Sequence, residues 1–129
     1  MTAWLILSNR LENRKVVIDY VRTWARDRGL SHNRLHSLEK VTEEIFCHLV
    51  PQAWQPNKPN TIAISLEERG PRLRLMFEDD AAFHNPGSFI PPELAPADCT
   101  LYNRLEKLAE SLVYYRTAES KNRLAIFLA

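Results

Sequence analysis

Apolar residues along this chain follow two periods, and the switches between them mark the elements. The run Ala3-Trp4-Leu5-Ile6-Leu7 predicts a short strand over residues 3–8. Residues 11–28 read as a helix, with Val17, Val21, Trp24 and Ala25 along one face and Arg14, Lys15, Arg22 and Arg26 elsewhere. Gly29 follows as its C-cap, and Ser31 caps a second helix over residues 32–50, expected to end at Pro51. Leu35, Leu38, Val41, Ile45, Phe46 and Leu49 give that helix a stripe suited to lie on a sheet. Residues 52–60 form a proline-containing loop. Two alternating segments follow, Ile62-Ile64-Leu66 and Leu73-Leu75-Phe77, joined by the turn Glu68-Arg69-Gly70-Pro71, so the pair predicts a hairpin with one apolar face. Residues 80–98, rich in proline, make the longest irregular stretch; a helix over 100–111 then leads to strands at 112–116 and 123–128. The expected fold is α+β, a two-layer sandwich whose mainly antiparallel mixed sheet carries all helices on one face.

Composition adds bounds rather than identity. The 129 residues fit one domain, 1–129, with a single core; 45% hydrophobic and 26% charged residues are ordinary for a globular protein. A net charge of +1 gives no global reason to expect nucleic acid or an acidic membrane as partner. The N-terminal apolar run is too short for a secretion signal, and no stretch approaches a membrane span. Cys47 and Cys99 lack CxxC spacing, which suggests reduced thiols in a cytoplasmic protein.

Four local motifs carry the candidate chemistry. On the second helix Glu44 and His48 stand four residues apart, about 40° from each other on the helical wheel and beside the apolar stripe. After the second hairpin strand comes Glu78-Asp79-Asp80-Ala81-Ala82-Phe83-His84-Asn85-Pro86. Cys99-Thr100-Leu101-Tyr102 opens the third helix, and Lys121-Asn122-Arg123-Leu124 opens the last strand. Together with the order of elements, these resemble the histidine-kinase-like (GHKL) ATPases over essentially the whole chain, most closely the small serine-kinase anti-sigma factors of bacterial partner-switching systems.

The resemblance implies roles. Glu44 falls on the catalytic acid that polarises the attacking group. His48 falls on the asparagine that ligates magnesium, where imidazole replaces a hard oxygen ligand. A neutral His48 suits a softer divalent metal, and a protonated one a phosphate oxygen. A competing register places the acid at Glu39 and the asparagine at Glu43. Asp79 falls on the aspartate that accepts from the adenine amino group, Ala81 on the glycine that lets the base approach, and Asn85 on the motif's tail. Thr100 falls on the phosphate lid, where no glycine remains; its amides persist, and Arg104 and Lys107 offer charge. The implied cofactor is ATP with Mg²⁺, weakened by the missing lid glycines and asparagine. The implied function is a regulator that binds a sigma factor or its antagonist, with weak or lost ATP binding. The alternative is an active serine protein kinase that phosphorylates the antagonist. A homodimer is implied by resemblance alone; no nucleic acid or membrane is expected as a direct partner.

Other residues offer less. His32, His36 and Glu39 have the spacing for a three-ligand metal site on one helix. Cys47 and His48, being adjacent, point about 100° apart and make no dyad. The basic residues of the first helix alternate with Glu12, Asp19 and Asp27, so no nucleic-acid stripe forms. Trp54, in a loop, is the tryptophan best placed to meet a partner.

Overall fold

The computed structural model of the protein describes residues 4–52, 60–80, 109–119 and 121–129. Strand β1 (Trp4–Ser8) leads through a 3-10 turn (Leu11–Asn13) into helix α1 (Arg14–Asp27), and helix α2 (His32–Gln52) follows at once. Strands β2 (Thr61–Arg69) and β3 (Arg72–Asp79) form a hairpin, and β4 (Ser111–Arg116) and β5 (Asn122–Leu128) form a second. The sheet order is β1-β2-β3-β5-β4. All four described pairings are antiparallel, so the parallel component allowed in a mixed sheet is absent among the described residues.

The helix junction follows from local chemistry. Gly29 sits at φ +66, and its N–H donates to the Arg26 carbonyl at 3.0 Å while Leu30 N–H donates to the Ala25 carbonyl at 3.1 Å. This is a Schellman close, in which a left-handed residue satisfies two orphan carbonyls of α1. Two residues later Ser31 Oγ accepts from Arg34 N–H at 3.3 Å, capping α2. Two boundaries differ from expectation. The first three residues assigned to α1 form the 3-10 turn, and α2 runs through Pro51 to Gln52. Proline has a helix-compatible φ, and in a last turn its missing N–H forfeits a single bond.

Each helix buries the stripe its sequence announces. Val17, Val21 and Ala25 of α1 and Leu38, Val41, Ile45, Phe46 and Leu49 of α2 are all at most 1% exposed. They meet one face of the sheet, on which register stacks Ile64, Phe77 and Leu124 in one row and Leu66, Leu75 and Ile126 in the next. Phe46 and Phe77 are the largest fully buried side chains. Removing a group of that size from water contributes about 2–3 kcal/mol. Thr42, buried in the same layer, donates its hydroxyl to the Leu38 carbonyl at 2.7 Å, so no polar atom is stranded there.

Arg34 sets the direction of α2. Its Nε donates to the Ala129 carbonyl at 3.1 Å and its Nη2 to the Pro71 carbonyl at 3.2 Å, tying the start of α2 to the β2–β3 turn. From there α2 and β3 run toward the same end of the sheet, where Asp79 lies. Among the described residues no helix is long and apolar enough to cross a membrane. The third helix expected over 100–111 lies mostly outside the described residues; at its far end, Ser111 instead opens β4.

Two stability predictions follow from α1. Gly29→Ala meets no atom within 4 Å, so its cost is the left-handed φ alone. Urea unfolding should show a loss of about 1 kcal/mol. Burial pushes the Tyr20 hydroxyl above its usual range, opposed by the Arg28 charge. The fold therefore favours the neutral phenol: this contribution is complete below about pH 10 and declines as pH rises through the folded value. Between about pH 9 and 11, wild type should lose stability faster than Tyr20→Phe in the same unfolding assay.

Candidate functional site

Asp79 ends β3 on the side of the sheet that carries the helices. Register fixes this: Asp79 stands opposite Ile62 on β2 and Asn122 on β5, in the alternating set that includes Phe77, Leu75 and Leu73. It is 5% exposed, and its Oδ1 accepts from Asn122 Nδ2 at 2.9 Å. Asn122 Oδ1 in turn accepts from Arg116 Nη1 at 2.9 Å. The carboxylate thus takes part in a cross-strand chain, Arg116 to Asn122 to Asp79, which orients it. Sequence reasoning noted Asn122 as a marker but missed its contact with Asp79. Their separation of 43 positions leaves no local signal.

The neighbouring residue points the other way. Glu78 lies on the open face, where Arg123 Nε donates to its Oε2 at 2.9 Å and Lys121 Nζ approaches Oε1 at 3.5 Å. Burial works against the charge on Arg123. Hydrogen bonds to Glu78 and to the Tyr115 hydroxyl outweigh it, so the guanidinium is held more firmly protonated than usual. Arg123 also stands over the Trp4 ring, 5.3 Å from its centroid.

On α2 the competing registers separate by partner. Arg22 Nε donates to Glu39 Oε1 at 2.6 Å, and Arg14 Nη1 lies 3.5 Å from Glu43 Oε1. Glu39 and Glu43 therefore face α1. Exposed pairs of this kind add little stability; what they show here is which flank of α2 meets α1. Glu44 is about 140° round the helix from Glu39, on the flank turned away from α1. It is half-buried. Glu39 and Glu43, the residues of the competing register, are thus paired with α1, and Glu44 is on the other flank. The backbone of His48 continues α2 one turn further, and its side chain falls outside the description.

At ideal helix and strand rises, Glu44 is about 15 Å beyond Arg34 and His48 about 21 Å, while Asp79 is about 23 Å beyond Arg72. Helix and strand start at the same end, so this half of α2 and Asp79 share one end and one side of the sheet. Ala81, Asn85, Thr100, Arg104 and Lys107 lie outside the described residues, as does Trp54. Asp79 also borders a cavity of about 230 Å³, but its other walls, including Trp4, Ile6, Ala63, Glu78 and Arg123, belong mainly to the open face. Glu44 is not among them.

For ATP with Mg²⁺, the side chain of His48 and the residues Thr100 and Arg104 that would meet metal and phosphates lie outside the described residues. Asp79 is an oriented, buried acceptor suited to an exocyclic amine. Among the described residues, no group of three or more His, Cys, Asp or Glu could hold a metal ion. That also removes the expected His32–His36–Glu39 site, since Glu39 is occupied by Arg22 and Arg26 lines the same groove. Cys47 is a free, half-buried thiol. A second buried amide escaped the sequence reading. Asn9 is 2% exposed, its N–H donates to the Asn60 carbonyl at 2.7 Å, and among the described residues neither carboxamide atom has a hydrogen-bond partner.

No protein-family model matches the chain, and no curated protein matches it in sequence. Solved structures do match in fold. The crystal structure of the RsbU and RsbW domains of a Mycobacterium tuberculosis protein superposes with a TM-score of 0.70 over 99% of this chain, at 11% identity. The chain spans 31% of that structure's length. The α+β sandwich expected from the sequence is therefore the observed fold.

Asn122→Ala removes a donor from a buried carboxylate. Chemical denaturation should show a loss of about 1–3 kcal/mol at neutral pH. Arg116→Ala, which removes only the outer link, should cost less in the same measurement.

Proposed function

We propose that the protein is a partner-switching regulator of the anti-sigma type that binds a sigma factor or its antagonist, with ATP binding weakened or lost. The observation that carries this reading is Asp79 set on the α2 side of a sandwich whose fold is shared with an RsbU- and RsbW-domain structure. Glu44, on the flank of α2 away from α1, keeps the place of the catalytic acid. His48 stands where magnesium needs an oxygen ligand, Ala81 where the base needs a glycine, and Cys99-Thr100-Leu101-Tyr102 where the lid needs several. Each change weakens nucleotide contact and leaves the protein-binding scaffold intact. A homodimer belongs to the same reading. Ile6 on β1, Leu11 in the turn and Val16 on α1 are 67%, 55% and 48% exposed, close together in the chain.

The second reading is an active serine kinase with Glu44 as general base toward the substrate hydroxyl and Asp79 holding adenine. The oriented acceptor at Asp79 favours it. Calorimetric titration with ATP in Mg²⁺ or Mn²⁺ separates the two. Binding should be absent or weaker than about 1 mM, a free energy near −4 kcal/mol, and His48→Asn should tighten it. Micromolar binding by the wild type, abolished in Asp79→Asn, would instead establish the kinase reading. A purified sigma factor or antagonist should bind in nucleotide-free buffer, with Asp79→Asn leaving that affinity unchanged.

A further inference from the structure

Where α1 ends and α2 begins, a groove of about 290 Å³ runs between the helices, lined by Arg22 and Arg26 of α1 and by His32, Leu35, His36 and Glu39 of α2. We infer that this groove is a docking site for an acidic segment of a protein partner, with Arg26 as its principal anchor. It goes beyond the nucleotide reading and shares with the regulatory reading only the existence of a protein partner.

Charge decides the occupant. Among the described residues Glu39 is the one acid lining the groove, and its carboxylate is taken by both Nε and Nη2 of Arg22, at 2.6 and 3.5 Å. That pair is internally neutral. Asp19 acts on Arg22 only as a further negative charge and does not line the groove. Arg26 remains: it is exposed and has no ion-pair partner among the described residues. The groove therefore holds one uncompensated guanidinium, whose fork suits a carboxylate. His32 and His36, both exposed and one turn apart on α2, add ring N–H donors along its length.

Shape narrows the choice further. His32 to Glu39 spans about 10 Å along α2, longer than a single phosphate requires and matched to two or three side chains of an extended peptide. The half-buried Leu35 supplies apolar floor for the methylenes of a glutamate. A basic segment would meet Arg26 and Arg22 head on. An acidic segment meets a donor at each step.

The test is fluorescence anisotropy of a labelled hexaglutamate peptide against the full chain at low ionic strength. Saturable binding is expected, weakened at least tenfold by Arg26→Glu and by no more than twofold by Arg69→Glu, which makes the same charge change on the β2–β3 turn. Amide shifts in NMR spectra should centre on Leu35 and His36. Arg26 carries no described ion pair but lies in the last turn of α1, so Arg26→Glu should lower the unfolding midpoint slightly while keeping the native circular dichroism spectrum. Absence of binding, or equal losses in the two variants, would overturn the proposal. So would displacement of the peptide by inorganic phosphate under conditions where chloride of equal ionic strength has no effect. Since no nucleotide enters this assay, its failure leaves the ATP titration to be judged separately.

Discussion

The contact on which the rest depends is the dry seam between α2 and the central strands. Phe46, Ile45 and Leu49 on the helix, and Phe77, Leu75 and Leu124 on the sheet, are buried almost completely and belong to one continuous cluster. Because this seam takes a single stripe of α2, it also assigns every polar position of that helix to a flank. Glu39 and Glu43 go to α1; Glu44 goes to the opposite side. The ion pairs at the rim follow from that placement rather than cause it. They are exposed, and exposed pairs contribute little against the burial of aromatic and aliphatic side chains.

The same seam explains how a buried carboxylate is tolerated at the end of β3. Asp79 continues the alternation of Leu73, Leu75 and Phe77, so it inherits their face and their burial. A buried charge requires compensation. Part of it comes from Asn122, opposite on β5, itself held by Arg116 on β4. Three strands are thus linked in series through Asn122. The neighbouring Asp80, by contrast, is exposed.

Much of the fold was legible because its determinants are local. Alternation at Ile62-Ile64-Leu66 and Leu73-Leu75-Phe77, the left-handed Gly29 and the Ser31 cap each act within a few residues, and each appears as expected. The helix end at Pro51 failed because a proline in a last turn loses only one bond. The placement of Glu39 and Glu44 on different flanks could not be read from α2 alone, since both flanks of its stripe are polar; Arg22, on another helix, shows where Glu39 lies. Asn122 beside Asp79 and the unpartnered carboxamide of Asn9 were equally hidden, because strand register across long separations leaves no trace in periodicity. The fold is therefore more visible in the sequence than the site, which is assembled from residues distant in the chain.

Consecutive residues of β3 send their carboxylates to opposite faces: Glu78 to Arg123 in the open, Asp79 to Asn122 beneath the helices. The closing hairpin is thereby self-editing. A slip of one position would drive Arg123 into the apolar layer and turn Leu124, Ile126 and Leu128 out to water, breaking both couples at once. Mispaired arrivals of this late segment are rejected by electrostatics and by hydrophobicity together, so the acceptor at Asp79 forms only in the correctly threaded molecule.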